Sequence, residues 1–279
     1  MPLATGLLSK GMDTEHLARA ADGTPIFYRA FGPPGGRPLL FVHGLASGGA
    51  QFAADAAHFA AQGYRVLVPD VRGHGRSGKP EPMDDAGFSI PTLADDLLCV
   101  LDHAGEGRVD WVGNSLGGIL ALDLMGRVPE RLASVAFFGT AFALDLPPLA
   151  AHAIPLTYRL LGRRLAAWLT GRMTVRGADD QALVSRLLLE FDPLVGRAIA
   201  RHVRCYDLSA AAEAYGGPML ILRGGLDRAV NLALDRSLPA LARRPNVSVV
   251  HLPEGGHCAN LDVPEAFRGA LAAFWAAQR

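Results

Sequence analysis

A serine within residues 113–117 combines the residue type and the spacing of an enzymatic nucleophile. These residues read Gly-Asn-Ser-Leu-Gly, they follow the strand-like run Val109–Val112, and a helical pattern comes after them. A serine on so sharp a strand-to-helix turn takes a strained backbone with positive φ, and the residues two positions away on either side must be small. The following helix points free N–H groups at the serine, where they can stabilise an oxyanion. The pattern therefore predicts Ser115 as a nucleophile and the backbone N–H of Leu116 as an oxyanion donor.

Apolar runs and helical patterns alternate along most of the chain and would position this serine. Eight runs are typical of strands: Leu17–Ala20, Ile26–Phe31, Pro38–His43, Tyr64–Pro69, Val109–Val112, Leu132–Phe138, Met219–Arg223 and Val247–Leu252. Helical patterns cover Gln51–Gln62, Ile90–His103, the residues after Ser115 to about Gly126, and about Pro264–Gln278. Asp262 is the predicted N-cap of the last helix. Strands that alternate with helices form a mostly parallel sheet covered on both faces. We therefore predict an α/β fold with a mostly parallel eight-stranded sheet flanked by helices.

The interval 141–215 breaks this alternation. Its leucines recur near the helical period, prolines punctuate it, and no run in it is convincing as a strand. We therefore predict a core domain of residues 1–140 and 216–279, into which residues 141–215 are inserted as a helical cap. The leucine and alanine content of the cap indicates an apolar pocket for an acyl or alkyl group, with Phe142 and Trp168 as the predicted substrate-binding residues.

Composition and charge limit the partners of this chain. A chain of 279 residues, of which half are apolar and 19% are charged, suits a well-buried globular protein rather than a disordered one. The formal net charge is zero. No general affinity for nucleic acid or for an anionic membrane is therefore expected, since both need a basic surface. We expect a small-molecule substrate as the partner, and a monomer or a homodimer as the assembly.

The cysteines and the first residues indicate a compartment. Cys99, Cys205 and Cys258 are odd in number, far apart and without CxxC spacing, which favours neither a disulfide framework nor a zinc site. Residues 1–13 have no basic stretch before a long apolar run, so no signal peptide is predicted. The longest weakly polar run, Leu132–Leu144, is too short to span a bilayer. These features predict a cytoplasmic location.

Five motifs, in the same order along the chain, resemble those of the α/β-hydrolase family, and the resemblance covers nearly the whole chain. They are His43-Gly44-Leu45, residues 70–77 (Asp-Val-Arg-Gly-His-Gly-Arg-Ser), residues 113–117, residues 222–227 (Leu-Arg-Gly-Gly-Leu-Asp) and residues 255–257 (Gly-Gly-His). The resemblance implies that the backbone N–H of Leu45 is a second oxyanion donor, that Asp227 is the acid and that His257 is the base.

Other histidines and carboxylates offer alternatives for the base and the acid. His43 and His74 lie inside loop motifs, where a structural or orienting role is favoured. His257 lies in a glycine-rich loop between the last strand and the last helix, from which an imidazole could reach the nucleophile. Asp145, soon after the sixth strand, is the alternative to Asp227 as the acid.

These assignments predict a two-step acyl transfer that needs no metal and no organic cofactor. The serine attacks a carbonyl, the two N–H groups stabilise the oxyanion, and water releases the acyl-enzyme. Hydrolysis of a carboxylic ester of a small, largely apolar substrate is the leading prediction. Three alternatives stay open: hydrolysis of a lactone, cleavage of a carbon–carbon bond in a vinylogous diketone, and ligand binding without catalysis on the same fold.

Overall fold

A mostly parallel sheet of eight strands forms the centre of the fold in the computed structural model, which describes residues 13–278. The strands of this part of the chain are β1 Asp13–Arg19, β2 Pro25–Phe31, β3 Arg37–Val42, β4 Tyr64–Pro69, β5 Val109–Asn114, β6 Leu132–Phe138, β7 Ala143–Asp145, β8 Cys205–Asp207, β9 Met219–Gly224 and β10 Val247–Leu252. The large sheet has the order β1-β2-β4-β3-β5-β6-β9-β10, in which β1–β2 and β2–β4 are antiparallel and the other pairs are parallel. The predicted fold class is confirmed.

Helices cover both faces of the large sheet. The helices of the described residues are α1 Ala53–Ala61, α2 Ile90–Ala104, α3 Leu116–Arg127, α4 Ala153–Leu161, α5 Arg163–Thr174, α6 Ala178–Glu190, α7 Pro193–Val203, α8 Ser209–Ala214, α9 Arg228–Leu241, α10 Ala259–Asp262 and α11 Pro264–Ala276. Of these, α4 to α8 belong to the segment between β6 and β9. Leu97 of α2 and Leu120 of α3 are buried on one face, and Phe59 of α1 and Trp275 of α11 on the other. The central strands are therefore buried on both sides, which is why they are continuous apolar runs. Within residues 13–278, none of the helices has the length and apolar character needed to cross a bilayer.

The loops that follow β3 and β5 meet at the carboxyl edge of the sheet. The chain leaves β3 toward β4 on one side and later enters β5 on the other side. Val42, the last residue of β3, pairs with Gly113 in β5. Open α/β sheets bind ligands at the carboxyl ends of two adjacent strands whose following connections run to opposite sides. Ser115, the first residue after β5, lies at this position.

The first strand begins earlier than predicted. β1 starts at Asp13 and pairs with β2 along its whole length, from Asp13 with Phe31 to Arg19 with Pro25. Its first residues are polar and exposed because β1 is an edge strand of the sheet. Backbone pairing, rather than burial of apolar side chains, fixes this part of the strand, and a hydrophobic pattern does not detect it.

The segment between β6 and β9 is mostly helical, as predicted, and contains α4 to α8. It also contains β7 and β8, which pair antiparallel with Leu144 opposite Tyr206. The expectation of no strand in this segment is therefore wrong. Each of the two strands has three residues, too few for a period of two to be visible in the sequence. The division of the chain into a core domain and an inserted cap stays a prediction.

Candidate active site

Ser115 lies on a strained turn between β5 and α3. Its backbone has φ +49° and ψ −110°. A Cβ on Gly117 would lie 2.2 Å from the carbonyl oxygen of Val42, and a Cβ on Gly113 would lie 2.5 Å from the carbonyl of Gly117. The positive φ and the requirement for small residues two positions away are therefore confirmed, and we call residues 113–117 the elbow. Packing on both sides holds the serine hydroxyl at the carboxyl edge of the sheet.

Two backbone N–H groups lie beside this serine. Leu116 is the first residue of α3, so its N–H has no partner within the helix. Leu45 belongs to a turn that is closed by the Ser47 N–H donating to the Gly44 carbonyl at 3.3 Å. A Cβ on Gly44 would lie 3.2 Å from the Cβ of Ser115, so this turn packs against the serine. Within residues 13–278, neither N–H donates to a protein acceptor, which leaves both for a developing oxyanion.

Buried neutral histidines fix the turn that carries Leu45. The Ala46 N–H donates to Nε2 of His74 at 3.1 Å, and the Val71 N–H donates to Nε2 of His43 at 2.9 Å. Because each Nε2 accepts, each Nδ1 carries the proton and donates to a backbone carbonyl. Ala46 itself has φ +59°, a conformation that L-residues rarely adopt. Both histidines thus have the structural role that the sequence favoured.

These two histidines make the stability of the fold dependent on pH. Burial lowers the pKa of His43 to about 4 and the pKa of His74 to about 3, whereas an unfolded histidine titrates near 6.5. Below pH 6.5 the unfolded chain binds protons that the native chain does not, so the free energy of unfolding decreases until the native pKa values are reached. We expect a loss of up to about 1.4 kcal/mol per pH unit from each histidine. Urea unfolding at about pH 7, 6 and 5 measures it.

His74→Gln is the control for this dependence. The glutamine side chain does not titrate, so the variant should be less stable than wild type at pH 7 but lose less stability on acidification. An unchanged slope of unfolding free energy against pH would show that His74 does not cause the effect.

Asp227 and His257 form a hydrogen-bonded pair across two loops. Oδ2 of Asp227 lies 2.8 Å from Nδ1 of His257, and Asp227 is almost completely buried. Asp227 directly precedes α9, and His257 follows β10. The two loops touch along their backbones, since the Leu226 N–H donates to the Gly255 carbonyl at 3.0 Å. Asp145, the alternative acid, lies exposed on β7 and does not contact the imidazole.

The elbow also holds the histidine loop. The side-chain amide of Asn114 donates to the His257 carbonyl at 2.9 Å, so the residue before Ser115 contacts the backbone of the histidine. Ser115 and His257 line the same cavity, and their side chains are not hydrogen-bonded to each other. In unliganded sites such hydrogen bonds are often long and shorten when substrate binds. The structure therefore brings Ser115, His257 and Asp227 together.

A buried polar network that sequence reasoning missed supports Asn114. The Gln51 amide donates to Asn114 and to Asn260, each at 3.1 Å. Asn260 in turn donates to Asp55 at 2.9 Å, and Arg268 donates to the same carboxylate at 2.7 Å. Gln51 lies in the 3₁₀ turn directly before α1, and the other side chains come from α1, the elbow, α10 and α11. In an alanine-rich helix, Gln51 and Asp55 have the pattern of surface residues, so no sequence signal indicated their burial.

A carboxylate outside the predicted site joins the histidine loop to the helical segment. The two oxygens of Asp262 accept from the backbone N–H of Gly256 at 2.7 Å and from that of Arg176 at 2.9 Å. Gly256 directly precedes the histidine, and Arg176 follows α5. The predicted N-cap role of Asp262 is wrong, because Val263 occupies the N-cap of α11 and no side chain caps that helix.

Asp262→Ala is expected to lower the free energy of unfolding by about 2 kcal/mol, because it removes two charge-assisted hydrogen bonds from a half-buried carboxylate. Urea unfolding measures the loss. Asp235→Ala, which removes an exposed pair with Arg223, is the matched control and should cost less than about 1 kcal/mol. Similar losses in the two variants would mean that Asp262 is an ordinary surface residue.

The cavity beside Ser115 and His257 has a volume of about 360 Å³ and lies under α4, α5 and α6. Its apolar wall includes Leu45, Ala153, Tyr158, Val184 and Leu188. Three threonines of the helical segment, Thr157, Thr170 and Thr174, add hydroxyl groups. Cys258 also lines the cavity, and burial raises the pKa of its thiol to about 12, so the thiol is neutral and acts as a packing group. Apart from His257, the wall has no side chain that can be charged at neutral pH.

The two residues predicted to bind substrate lie outside this wall. Phe142 is fully buried and packs against Phe137, with the ring centroids 5.2 Å apart, so it belongs to the core. Trp168 is half-exposed on α5, and at 100° per residue it lies on the opposite side of the helix from Thr170. Both predictions are therefore corrected. Tyr158, which the sequence analysis did not select, supplies an aromatic ring to the cavity instead.

Comparisons with known proteins identify the family of this fold. The family model for the alpha/beta hydrolase fold matches residues 37–183, more than half of the chain. A protein of Klebsiella pneumoniae that bears the provisional name carbamate hydrolase RutD is 28% identical over 252 residues, which cover 85% of this chain and 91% of that protein. A 3-hydroxybutyrate-oligomer hydrolase of Cupriavidus necator is 28% identical over 260 residues, which cover 82% of this chain and 86% of that protein.

A solved structure has the same architecture. The enol-lactonase from Burkholderia xenovorans superimposes with a TM-score of 0.82 at 23% identity, over 94% of this chain and 100% of that one. This likeness concerns the fold alone, whereas the family model spans the turn of Leu45, the elbow and part of the helical segment. The chain is a hydrolase and belongs to the α/β-hydrolase fold family.

Proposed function

We propose that this hydrolase cleaves a carboxylic ester of a small, largely apolar and uncharged substrate through Ser115, His257 and Asp227. The observation that carries the proposal is a single cavity with both Ser115 and His257 in its wall, in which Nδ1 of His257 lies 2.8 Å from the buried Asp227 carboxylate. A larger groove of about 990 Å³ between β1 and α2 has no serine in its lining.

The proposed mechanism follows from these contacts. Asp227 accepts the Nδ1 proton of His257, so Nε2 is free to take the proton of the Ser115 hydroxyl. The serine oxygen attacks the ester carbonyl, and the N–H groups of Leu45 and Leu116 stabilise the oxyanion. His257 then protonates the leaving alcohol, and water, activated by the same histidine, releases the acid from the acyl-enzyme.

The wall of the cavity supports an uncharged substrate. A carboxylate or an ammonium group would lose its hydration there without gaining an opposite charge, which is costly. A cavity of 150 Å³ holds benzene, so one of about 360 Å³ has room for on the order of 14 heavy atoms. The ester as a whole is therefore small, with a short acyl group, a small alcohol or both.

Related bonds are alternatives at the same site. The names of the similar proteins include a carbamate hydrolase, an oligoester hydrolase and an enol-lactonase, all of which act on an acyl carbon. Cleavage of a carbon–carbon bond in a vinylogous diketone also stays open. The cytoplasmic location, the monomeric or homodimeric assembly and the absence of a cofactor stay predictions.

Rates on p-nitrophenyl esters from acetyl to dodecanoyl test the proposal. We expect kcat/KM to be highest for acyl groups of roughly four carbons and to fall for longer chains, because the cavity is small. The p-nitrophenyl ester of butanoate should be hydrolysed at least about tenfold faster than that of hemisuccinate, which has the same chain length and a negative charge. If the protein hydrolyses none of these esters but turns over a ring-cleavage diketone or a lactone, the proposed function is wrong.

A further inference from the structure

Large apolar side chains are concentrated on the surface of α4 and α5. Of the fourteen large apolar side chains that are exposed within residues 13–278, six lie between residues 156 and 173. They are Leu156, Leu160, Leu161, Leu165, Trp168 and Met173, and we call the surface that they form the apolar face. Met173 is 86% exposed and Leu160 is 70% exposed. Single exposed apolar side chains are common in soluble proteins, but six on two consecutive helices mark an interaction surface.

The same helices are positively charged in a chain that is neutral as a whole. Residues 146–178 contain five arginines and neither aspartate nor glutamate, whereas the formal net charge of the chain is zero. Two of these arginines are engaged within the protein. Arg176 pairs with Glu254, and Arg163 donates to backbone carbonyls after α6 and at its end.

The other three arginines lie on the same two helices as the apolar face. Arg159, Arg164 and Arg172 are exposed, and within residues 13–278 none of them pairs with a carboxylate. The guanidinium of Arg172 lies 5.1 Å from the ring centroid of Trp168. The surface therefore combines exposed leucines, a tryptophan and unpaired positive charge.

We propose that the apolar face docks on an anionic lipid surface. Helices that lie in the plane of a membrane interface carry leucine and tryptophan toward the acyl chains and arginine toward the lipid phosphates. Each arginine near an anionic surface contributes about fivefold to binding. The zero net charge, from which no membrane affinity was expected, is an average over the chain. The arginines of residues 146–178 are concentrated on two helices without carboxylates, so this surface can still be basic.

A second copy of the chain fits this surface less well. A two-fold symmetric interface would bring the apolar face against itself, and Arg159, Arg164 and Arg172 of the two copies would approach one another. No carboxylate of residues 146–178 could compensate, since this segment contains none. An anionic lipid surface satisfies both the apolar and the charged groups.

Docking would turn the cavity toward the lipid. Ala153 and Thr157 of α4 line the cavity and are exposed, so the cavity opens to the surface beside this helix. Leu156 and Leu160 flank that opening on the same side of α4. An apolar ester dissolved in the membrane would thus reach the cavity without crossing water. The docking itself is independent of the proposed reaction, because binding is measured without turnover.

Sedimentation with lipid vesicles tests the proposal on the full chain. We expect binding to vesicles of equal parts phosphatidylglycerol and phosphatidylcholine, weaker binding to pure phosphatidylcholine, and loss of binding as the salt concentration rises. The double variant Arg159→Glu/Arg164→Glu should lower the partition coefficient at least about 25-fold. Leu160→Ser should lower it several-fold, since a leucine side chain that docking would bury in the lipid is replaced by a polar one.

Matched variants elsewhere on the surface separate docking from a general effect of charge. Arg236→Glu/Arg243→Glu makes the same change of net charge on exposed arginines on α9 and just after it, and Leu232→Ser removes a leucine that is 72% exposed on α9. Both should bind vesicles as wild type does. Far-UV circular dichroism and hydrolysis of a soluble short ester show that each variant is folded.

Three results would overturn the proposal. The first is no sedimentation with anionic vesicles at low salt. The second is an equal loss of binding in the two double-arginine variants. The third is a dimer in analytical ultracentrifugation that Leu160→Ser dissociates, without vesicle binding, which would make a second copy the occupant of the apolar face.

Discussion

Ser115→Ala is expected to lower kcat for a short p-nitrophenyl ester by at least about 10³-fold while the protein stays folded. Ser115 has the only hydroxyl that the elbow presents between the N–H groups of Leu45 and Leu116. Alanine fits the same backbone, because the strained φ depends on the packing of Gly113 and Gly117 and not on the serine side chain. The residual rate would come from the oxyanion donors and from binding alone.

Two measurements separate loss of the nucleophile from damage to the cavity. Thr157→Ala removes another hydroxyl from the same cavity, and this hydroxyl donates to the Ala153 carbonyl within α4, so we expect kcat within roughly fivefold of wild type. A fluorophosphonate should add one covalent group to wild type and to Thr157→Ala but none to Ser115→Ala. Comparable activity or labelling in a folded Ser115→Ala protein would refute the assigned nucleophile.

Asp227→Asn is expected to lower kcat by about 10⁴-fold with little change in structure. The carboxylate lies 2.8 Å from Nδ1 of His257, and in the proposed mechanism it holds the tautomer in which Nε2 accepts the serine proton. An asparagine amide that donates to Nδ1 favours the opposite tautomer, in which Nε2 carries a proton and cannot act as a base. The substitution also removes the negative charge of the carboxylate, which would stabilise the imidazolium form of His257.

Asp145→Asn is the matched control for this variant. Asp145 was the alternative acid in the sequence, and it lies exposed on β7. We expect its kcat to be within a factor of about two of wild type, since surface substitutions away from the site have small effects. A large loss in Asp145→Asn alone would reverse the assignment of the acid.

The fold and the elbow could be predicted because they follow from local rules. Strands such as β3 and β5 are buried on both faces, so they are apolar runs that are visible without the structure. The elbow is visible because its geometry admits only glycine at positions 113 and 117. The loop positions of Asp227 and His257 came from family motifs at the ends of strands, and the structure brings these two side chains into contact.

The cavity wall could not be predicted, because it depends on how α4, α5 and α6 sit over the sheet. Helical spacing places Trp168 and Thr170 on different sides of α5 but does not say which side faces the cavity. Phe142, a predicted substrate-binding residue of the cap, packs into the core against Phe137 instead. The network of Gln51 and Asn260 joins residues that are far apart in the chain, and polar side chains carry no pattern that reveals burial.

The close packing of Gly113 against Gly117 at the elbow has a consequence for refolding. Gly113 and Gly117 touch only when β5 and α3 are fully packed, and the indole of Trp111 then donates to the Gly117 carbonyl at 3.0 Å. A partly folded chain with its helices formed but this contact open would let the serine backbone relax from its strained conformation. Recovery of hydrolysis after denaturation should therefore lag behind recovery of the helical circular dichroism signal. Enzymatic activity would then report only those molecules in which the contact between Gly113 and Gly117 has formed.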